Sequence, residues 1–360
     1  MNHIKNIEIK NFKSIRHQTI DDCRRINVFI GYPNVGKSNI LEALGLFSVN
    51  KIGVNFNDFV RIEKLTTFFF DGYIENNVEV IINSIDRIVG KYANGTLNLT
   101  NEYDREKYGF ENVDKSEFSL NRLEANEICS YSVEELGRVT GFKSSNGIKL
   151  KNEDSIIEVL KFDFKKSIKF ISGSGWRFSH PFGENIFSVI SENRLIKKEV
   201  KEIFLPNNLE LLFDSREQVF TILKRTEAGI FTIPYELIAD TLQRLIFYKT
   251  AILSNKDKVL LFEEPEAHMF PPYISKLTSD IVNDENNNQF FLATHSPFVM
   301  NDLISNTEKE DLSIYIVSYD NETGETLIHH LLEEDVDEAY QFGYDFFMNI
   351  DNFIPQKQHE

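Results

Sequence analysis

An α/β fold built around a phosphate-binding loop is predicted from three observations. Gly31, Tyr32, Pro33, Asn34, Val35, Gly36, Lys37 and Ser38 match G-x-x-x-x-G-K-[ST] at every fixed position. The apolar run 26–30 precedes that loop, and apolar residues at helical spacing follow it over 39–47. Two further apolar runs, 259–262 and 290–293, each end in polar residues suited to hydrolysis.

Each part of the loop has a mechanical task. Gly31 and Gly36 let the backbone turn tightly and bring its N–H groups to phosphate oxygens. Lys37 reaches the β- and γ-phosphates, and the Ser38 hydroxyl is a ligand for Mg²⁺. Strand, loop and helix N-terminus together place an anion on the helix dipole.

The run 259–262 delivers Glu263, Glu264, Pro265 and Glu266. Adjacent residues at a strand end point to opposite sides. Glu263 is therefore assigned to the metal side, and Glu264 to orienting or deprotonating the attacking water. Asp is commoner at the first of these positions, so Glu263 reaches one methylene further. The run 290–293 delivers Thr294, His295, Ser296 and Pro297. His295 at such a strand end can meet a γ-phosphate or the attacking water.

Bulk properties narrow the function classes. The chain has 360 residues and a formal net charge of −17. That charge excludes a nucleic-acid coat over the whole surface and leaves a local basic groove open. Cys23 and Cys129 form neither a disulfide framework nor a metal motif and suit a reducing compartment. The first ten residues alternate polar and apolar without the apolar core of a signal peptide. No apolar run is long enough to span a bilayer. A cytoplasmic location away from membranes is expected.

Four regions follow from composition. Residues 1–83 carry strand patterns around the loop, among them 67–70 and 78–82. Residues 84–205 are more polar, with helices expected near 131–140 and 183–204. The Lys161, Lys165, Lys166, Lys169 and the Lys197, Lys198, Lys201 clusters there read as solvated faces. Residues 206–332 return to strand–helix alternation. The tail 333–360 opens with Glu333, Glu334, Asp335, Asp337 and Glu338, a solvated acidic helix. No heptads are sustained, which excludes a long coiled-coil arm.

These motifs, in this order, resemble the ABC-type ATPase heads of the SMC, RecF and OLD group. The matching pieces are Ile9, Lys10, Asn11, Phe12, Lys13 and Ser14, the loop with Asn39 to Leu44, the Glu263–His268 stretch, and Thr294 to Pro297. The resemblance covers roughly 1–80 and 205–330. The wording of the last two motifs is most similar to OLD-type ATPases of bacterial anti-phage defence. The resemblance implies a P-loop NTPase with a mixed β-sheet core and a helical insertion, hydrolysing ATP with Mg²⁺. Asn34, Val35, Gly36, Lys37, Ser38 and Asn39 are then the nucleotide-binding residues.

It also implies a homodimer or larger even-numbered assembly, with nucleotide held between one loop and the partner's signature helix. The stretch 238–244 stands in that helix's place, with Asp240, Thr241 and Arg244 as candidate trans contacts. It departs from the usual Ser-Gly signature at Ala239 and Thr241. The glutamine that couples Mg²⁺ to the helical lobe has no assigned position. No strand-Glu then Asp-x-Asp nuclease layout follows His295, so an ATPase without its own nuclease is expected. Such a head works with a separately encoded effector, a nuclease or toxin, while residues 84–205 hold heads together or dock a partner. A RecF-like DNA-binding repair ATPase and a slowly hydrolysing scaffold are the alternatives.

Overall fold

The run 26–30 is the central strand of a six-stranded sheet in the computed structural model, which describes residues 3–49, 54–103, 127–144, 157–166, 177–343 and 345–354. The chain starts with an antiparallel hairpin, β1 (Ile7–Phe12) and β2 (Ile15–Ile20), and enters the centre as β3 (Ile26–Ile30). The loop leads into α1 (Lys37–Gly45). An antiparallel series follows: β4 (Val78–Ile82), β5 (Asp86–Ala93), β6 (Thr96–Tyr103), β7 (Glu127–Val133) and β8 (Val139–Ser144). These strands extend the hairpin into a seven-stranded sheet ordered β2-β1-β4-β5-β6-β7-β8.

The chain then returns to the centre as β9 (Val159–Phe162), followed by α2 (Ile186–Glu192) and α3 (Arg194–Glu202). A small antiparallel sheet comes next: β10 (Leu209–Asp214), β11 (Val219–Thr226) and β12 (Gly229–Pro234). The remainder alternates: α4 (Asp240–Ser254), β13 (Val259–Glu263), α5 (Pro271–Val282), β14 (Gln289–Ala293) and α6 (Pro297–Asn306). It closes with β15 (Leu312–Asp320), β16 (Glu325–His330) and α7 (Glu333–Phe342). The central sheet runs β16-β15-β3-β14-β13-β9, parallel except for β16.

Its inner strands are mostly apolar because both faces are covered, and the buried Asn27 and Gln289 near their starts are hydrogen-bonded to backbone carbonyls. Val28, Leu260, Phe262, Phe290, Leu292, Ile314 and Ile316 join one core with α4, α5 and α6 residues such as Leu245, Leu277 and Leu303. Their neighbours Phe29, Leu261, Phe291, Tyr315 and Val317 join the other with Ile40, Leu41 and Leu44 of α1 and residues of β1 and β4. The period of two divides each strand between the cores. No helix among the described residues is long and apolar enough to cross a membrane.

Three local expectations are corrected. Residues 67–70 do not form a strand. They lie in the 3₁₀ turns Leu65–Phe68 and Phe70–Gly72, with only Phe69 bridging Phe12. Phe68 and Phe69 are buried there, and Phe68 packs edge-on to Phe12, so the aromatic run fills a core corner without a ladder. The stretch 131–140 is not helical but is the end of β7, a turn and the start of β8. Tyr131, Val133 and Val139 bury at strand spacing, whereas Leu136 sits exposed at the turn with φ 67°. Lys161 is no solvated cation. It lies buried on β9, where its ammonium donates to the Phe59 carbonyl at 2.9 Å. The helices expected over 183–204 are α2 and α3, broken at Asn193, whose side chain caps α3. Lys169 and residues 104–126 of the more polar region lie outside the described residues.

Candidate active site

The loop between β3 and α1 lies at the carboxyl ends of the parallel strands, where β13 and β14 also end. Parallel order alone brings three chain-distant segments together there. Gly36 takes φ 105°, and a Cβ at this position would collide with the Thr326 hydroxyl, so only glycine fits. Asn34 is left-handed, with φ 62°. The loop rests on β16: Thr326 donates its hydroxyl to the Val35 carbonyl at 2.8 Å and shares a 2.7 Å hydrogen bond with Ser14. Asn39 donates to the same Ser14 hydroxyl at 2.6 Å.

The Lys37 ammonium folds back and donates to the carbonyls of Gly31 and Tyr32, at 3.0 and 2.8 Å. Burial pushes its pKa down to about 8, against the upward pull of Glu264 and Glu263. Those carbonyls satisfy the ammonium. The outward end of the loop is tied as well: the Tyr32 hydroxyl donates to Asp351 at 3.1 Å. The chain around Asp351 is anchored by the buried Phe346 and Ile350.

Ser38 donates its hydroxyl to Glu263 Oε1 at 2.5 Å. Arg61 donates to the same oxygen at 2.9 Å and to Glu42 at 2.6 Å. Glu42 is fully buried and also pairs with Lys13. Burial pushes Glu263 up, but the Ser38 hydrogen bond and the Arg61 and Lys161 charges outweigh it and hold Glu263 below the ordinary carboxylate value. Glu263 is thus an anion beside the Ser38 hydroxyl.

Glu264 turns the other way. Its backbone is left-handed, with φ 43°, and its N–H donates to the Ala293 carbonyl at 2.8 Å. This fixes the turn after β13 against the end of β14. His295 Nε2 stands 3.6 Å from Glu264 Oε1, with both side chains open to solvent. Burial and the Lys37 charge hold His295 below its ordinary value despite Glu264, so the ring is neutral at pH 7.

The structure therefore brings Lys37, Ser38, Glu263, Glu264 and His295 into one cluster. Asp240, Thr241 and Arg244 make their own contacts on α4. Arg244 donates to Asp240 at 2.8 Å and lies over the Phe164 ring, while Thr241 donates to the His268 carbonyl at 2.9 Å. Sequence reasoning missed the Glu42, Arg61 and Thr326 contacts. Glu42 was the findable one, an acid set within the otherwise apolar run 40–44.

A family model described as "AAA domain, putative AbiEii toxin, Type IV TA system" matches residues 26–301. The chain belongs to that family. An ATP/GTP phosphatase of Helicobacter pylori is 23% identical to it over 326 residues, 81% of this chain and 85% of the relative. The DNA replication and repair protein RecF of a Thermoanaerobacter species is 37% identical over 49 residues, 14% of each chain. Among solved structures, an SMC head bound to the C-winged helix domain of ScpA aligns with a TM-score of 0.51 at 15% identity, covering 93% of this chain and 99% of that one. An Smc head with an extended coiled coil, bound to the C-terminal domain of ScpA derived from Pyrococcus furiosus, aligns with a TM-score of 0.50 at 12% identity, covering 95% and 99%. The fold is that of an ABC-type ATPase head, and the chain is an ATPase of the P-loop class.

Proposed function

We propose that the chain hydrolyses ATP with Mg²⁺ between two copies of itself, and that it controls a separately encoded effector in defence against phage. One observation carries the catalytic part: two neighbouring parallel strands end in Glu263 beside Ser38 and in His295 beside Glu264. Lys37 holds the β- and γ-phosphates, and Asn34, Val35, Gly36 and Asn39 shape the cradle. Glu264 activates the attacking water, and neutral His295 senses that water or the γ-phosphate.

Mg²⁺ fits the donor set. Ser38 and Glu263 offer two oxygens on one side, the hard donors this ion prefers. Among the described residues no three His, Cys, Asp or Glu side chains converge on a metal site. Phosphate oxygens and water would supply the other ligands, as is usual for Mg²⁺. When bound, the ion neutralises charge on the phosphates.

None of these side chains closes the far side of a γ-phosphate, which supports a composite site. The α4 N-terminus, with Asp240, Thr241 and Arg244, is the surface proposed to close it in trans. The family's description, which names a "putative AbiEii toxin, Type IV TA system", supports a defence role. Heads solved with a bound ScpA domain support partner docking. The short RecF match favours a second reading, a DNA-binding repair ATPase. The charge of −17 weighs against that reading.

Phosphate release and nucleotide binding test the catalytic part. Glu264→Gln should bind ATP normally and hydrolyse it roughly a hundredfold more slowly. Turnover at the wild-type rate would refute the assignment. For the biological part, the system is expressed with its gene neighbours and challenged with phage. Plating efficiency that ignores both Lys37→Ala and loss of each neighbour rejects the defence role.

A further inference from the structure

Glu266 has no part in the chemistry above, yet its side chain is built into the site. It is 7% exposed, and Oε1 accepts the Thr294 hydroxyl at 2.5 Å. Thr294 is itself fully buried. Its hydroxyl accepts the Ser296 N–H at 3.0 Å, and its own N–H donates to the Phe29 carbonyl at 3.2 Å. On the other side, Ala267 N–H closes on the Glu264 carbonyl at 3.0 Å and Met269 N–H on the Glu266 carbonyl at 2.9 Å. Glu266 therefore joins a tight turn that carries Glu264 to a second tight turn that carries His295.

A carboxyl is a costly way to join two turns. Oε2 of Glu266 is buried and makes no hydrogen bond among the described residues. An unsatisfied buried polar atom costs stability that an apolar side chain would not. Burial accordingly pushes the Glu266 carboxyl up, against the Thr294 hydroxyl and the backbone N–H groups of Glu266 itself and of His295. An acceptor at this point brings what an apolar residue lacks, a directional bond to Thr294. Glu264 and His295 stand 3.6 Å apart with exposed side chains, so their separation is set from below, by the Glu264 N–H bond to the Ala293 carbonyl and by the Glu266–Thr294 bond.

We propose that Glu266 is a positioning residue that, through Thr294, clamps the turn of Glu264 to the turn of His295 and so sets the geometry of water attack. This rests on the catalytic reading of Glu264 and His295. Displacement of a catalytic group by about 1 Å can cost a hundredfold in rate. Glu266→Ala should therefore lower kcat by about tenfold or more, with KM and nucleotide affinity within about twofold of wild type. Glu266→Gln keeps the acceptor and should restore most of kcat. Thr294→Val removes the same bond from the other side, together with the acceptor of the Ser296 N–H, and should lower kcat at least as far as Glu266→Ala, with no further loss when Glu266→Ala is added to it.

Steady-state kinetics, binding of a fluorescent ATP analogue and thermal melts are read for each full-length variant. Glu264→Gln is run alongside. If it turns over at the wild-type rate, the catalytic reading fails whatever Glu266 does. If Glu264→Gln is slow while Glu266→Ala and Thr294→Val keep wild-type kcat, the clamp is overturned. It is also overturned if activity falls only with the folded fraction, or if Glu266→Gln is as slow as Glu266→Ala. Should Glu266→Ala not fold, Thr294→Val and Glu266→Gln decide by the same criteria.

Discussion

Lys37 shows how one side chain sets a pH response. Its ammonium is held by two carbonyls and pushed down to about 8 by burial. A polyanion favours the charged form, so if Lys37 holds the phosphates as proposed, ATP binding requires the proton that Lys37 loses above that value. Raising the pH from 7 to 9 should then weaken ATP binding about tenfold, the ratio of protonated fractions for a pKa near 8. Nucleotide titrations at the two values check it, and Lys37→Arg should flatten the response. Glu42 is the other decisive residue at this scale. It is fully buried between Lys13, itself mostly buried, and the more exposed Arg61. Glu42→Ala would leave Lys13 buried without its counter-charge, a loss of about 3 kcal/mol by urea denaturation. The Arg61 contact adds little to that figure because water screens it. Glu42 was missed in the sequence although it stands as a lone acid within the apolar run 40–44, and its partners lie far along the chain or in loops. Nothing local to Arg61 indicates that it lies next to Glu263.

At the level of elements, the legible parts are those buried on both faces. The runs 26–30, 259–262 and 290–293 fall within β3, β13 and β14 because a covered parallel strand needs apolar residues throughout. The phosphate loop was legible for a different reason, since its fixed residues are dictated by backbone approach. Residues 67–70 and 131–140 misled because their apolar side chains answer to non-local packing: Phe68 to Phe12, Tyr131 to Phe56. The support of the loop by β16 was also hidden, since Thr326 lies 291 residues from Val35. Thr326→Val removes two hydrogen bonds from the back of the loop and should raise KM for ATP about fivefold, the equivalent of roughly 1 kcal/mol. An unchanged KM would make β16 a mere sheet edge.

For the whole molecule, the composite site makes a testable demand on assembly. If ATP bridges the loop of one copy and the α4 N-terminus of another, ATP should shift the protein toward a more compact dimer. Mixing Lys37→Ala chains with chains altered at Asp240 and Thr241 leaves one intact site in each mixed dimer. Partial ATPase activity should return, and silence in mixtures shown to hold heterodimers would confine the site to one chain. The order of three motifs made the ATPase head legible. The proposed trans surface is less so, because in one copy Asp240 and Arg244 satisfy each other. The Tyr32–Asp351 hydrogen bond carries a consequence of another kind. It joins the phosphate loop to a segment packed on the helical core, and two events that share a bond are thermodynamically linked in both directions. If the loop holds nucleotide as proposed, whatever lifts that segment, an effector's surface or an affinity tag fused beyond it, should alter the grip on nucleotide, and nucleotide should alter the hold on the segment by the same factor. Affinities measured with tags at opposite ends of the chain should therefore disagree, and the size of the disagreement is the coupling.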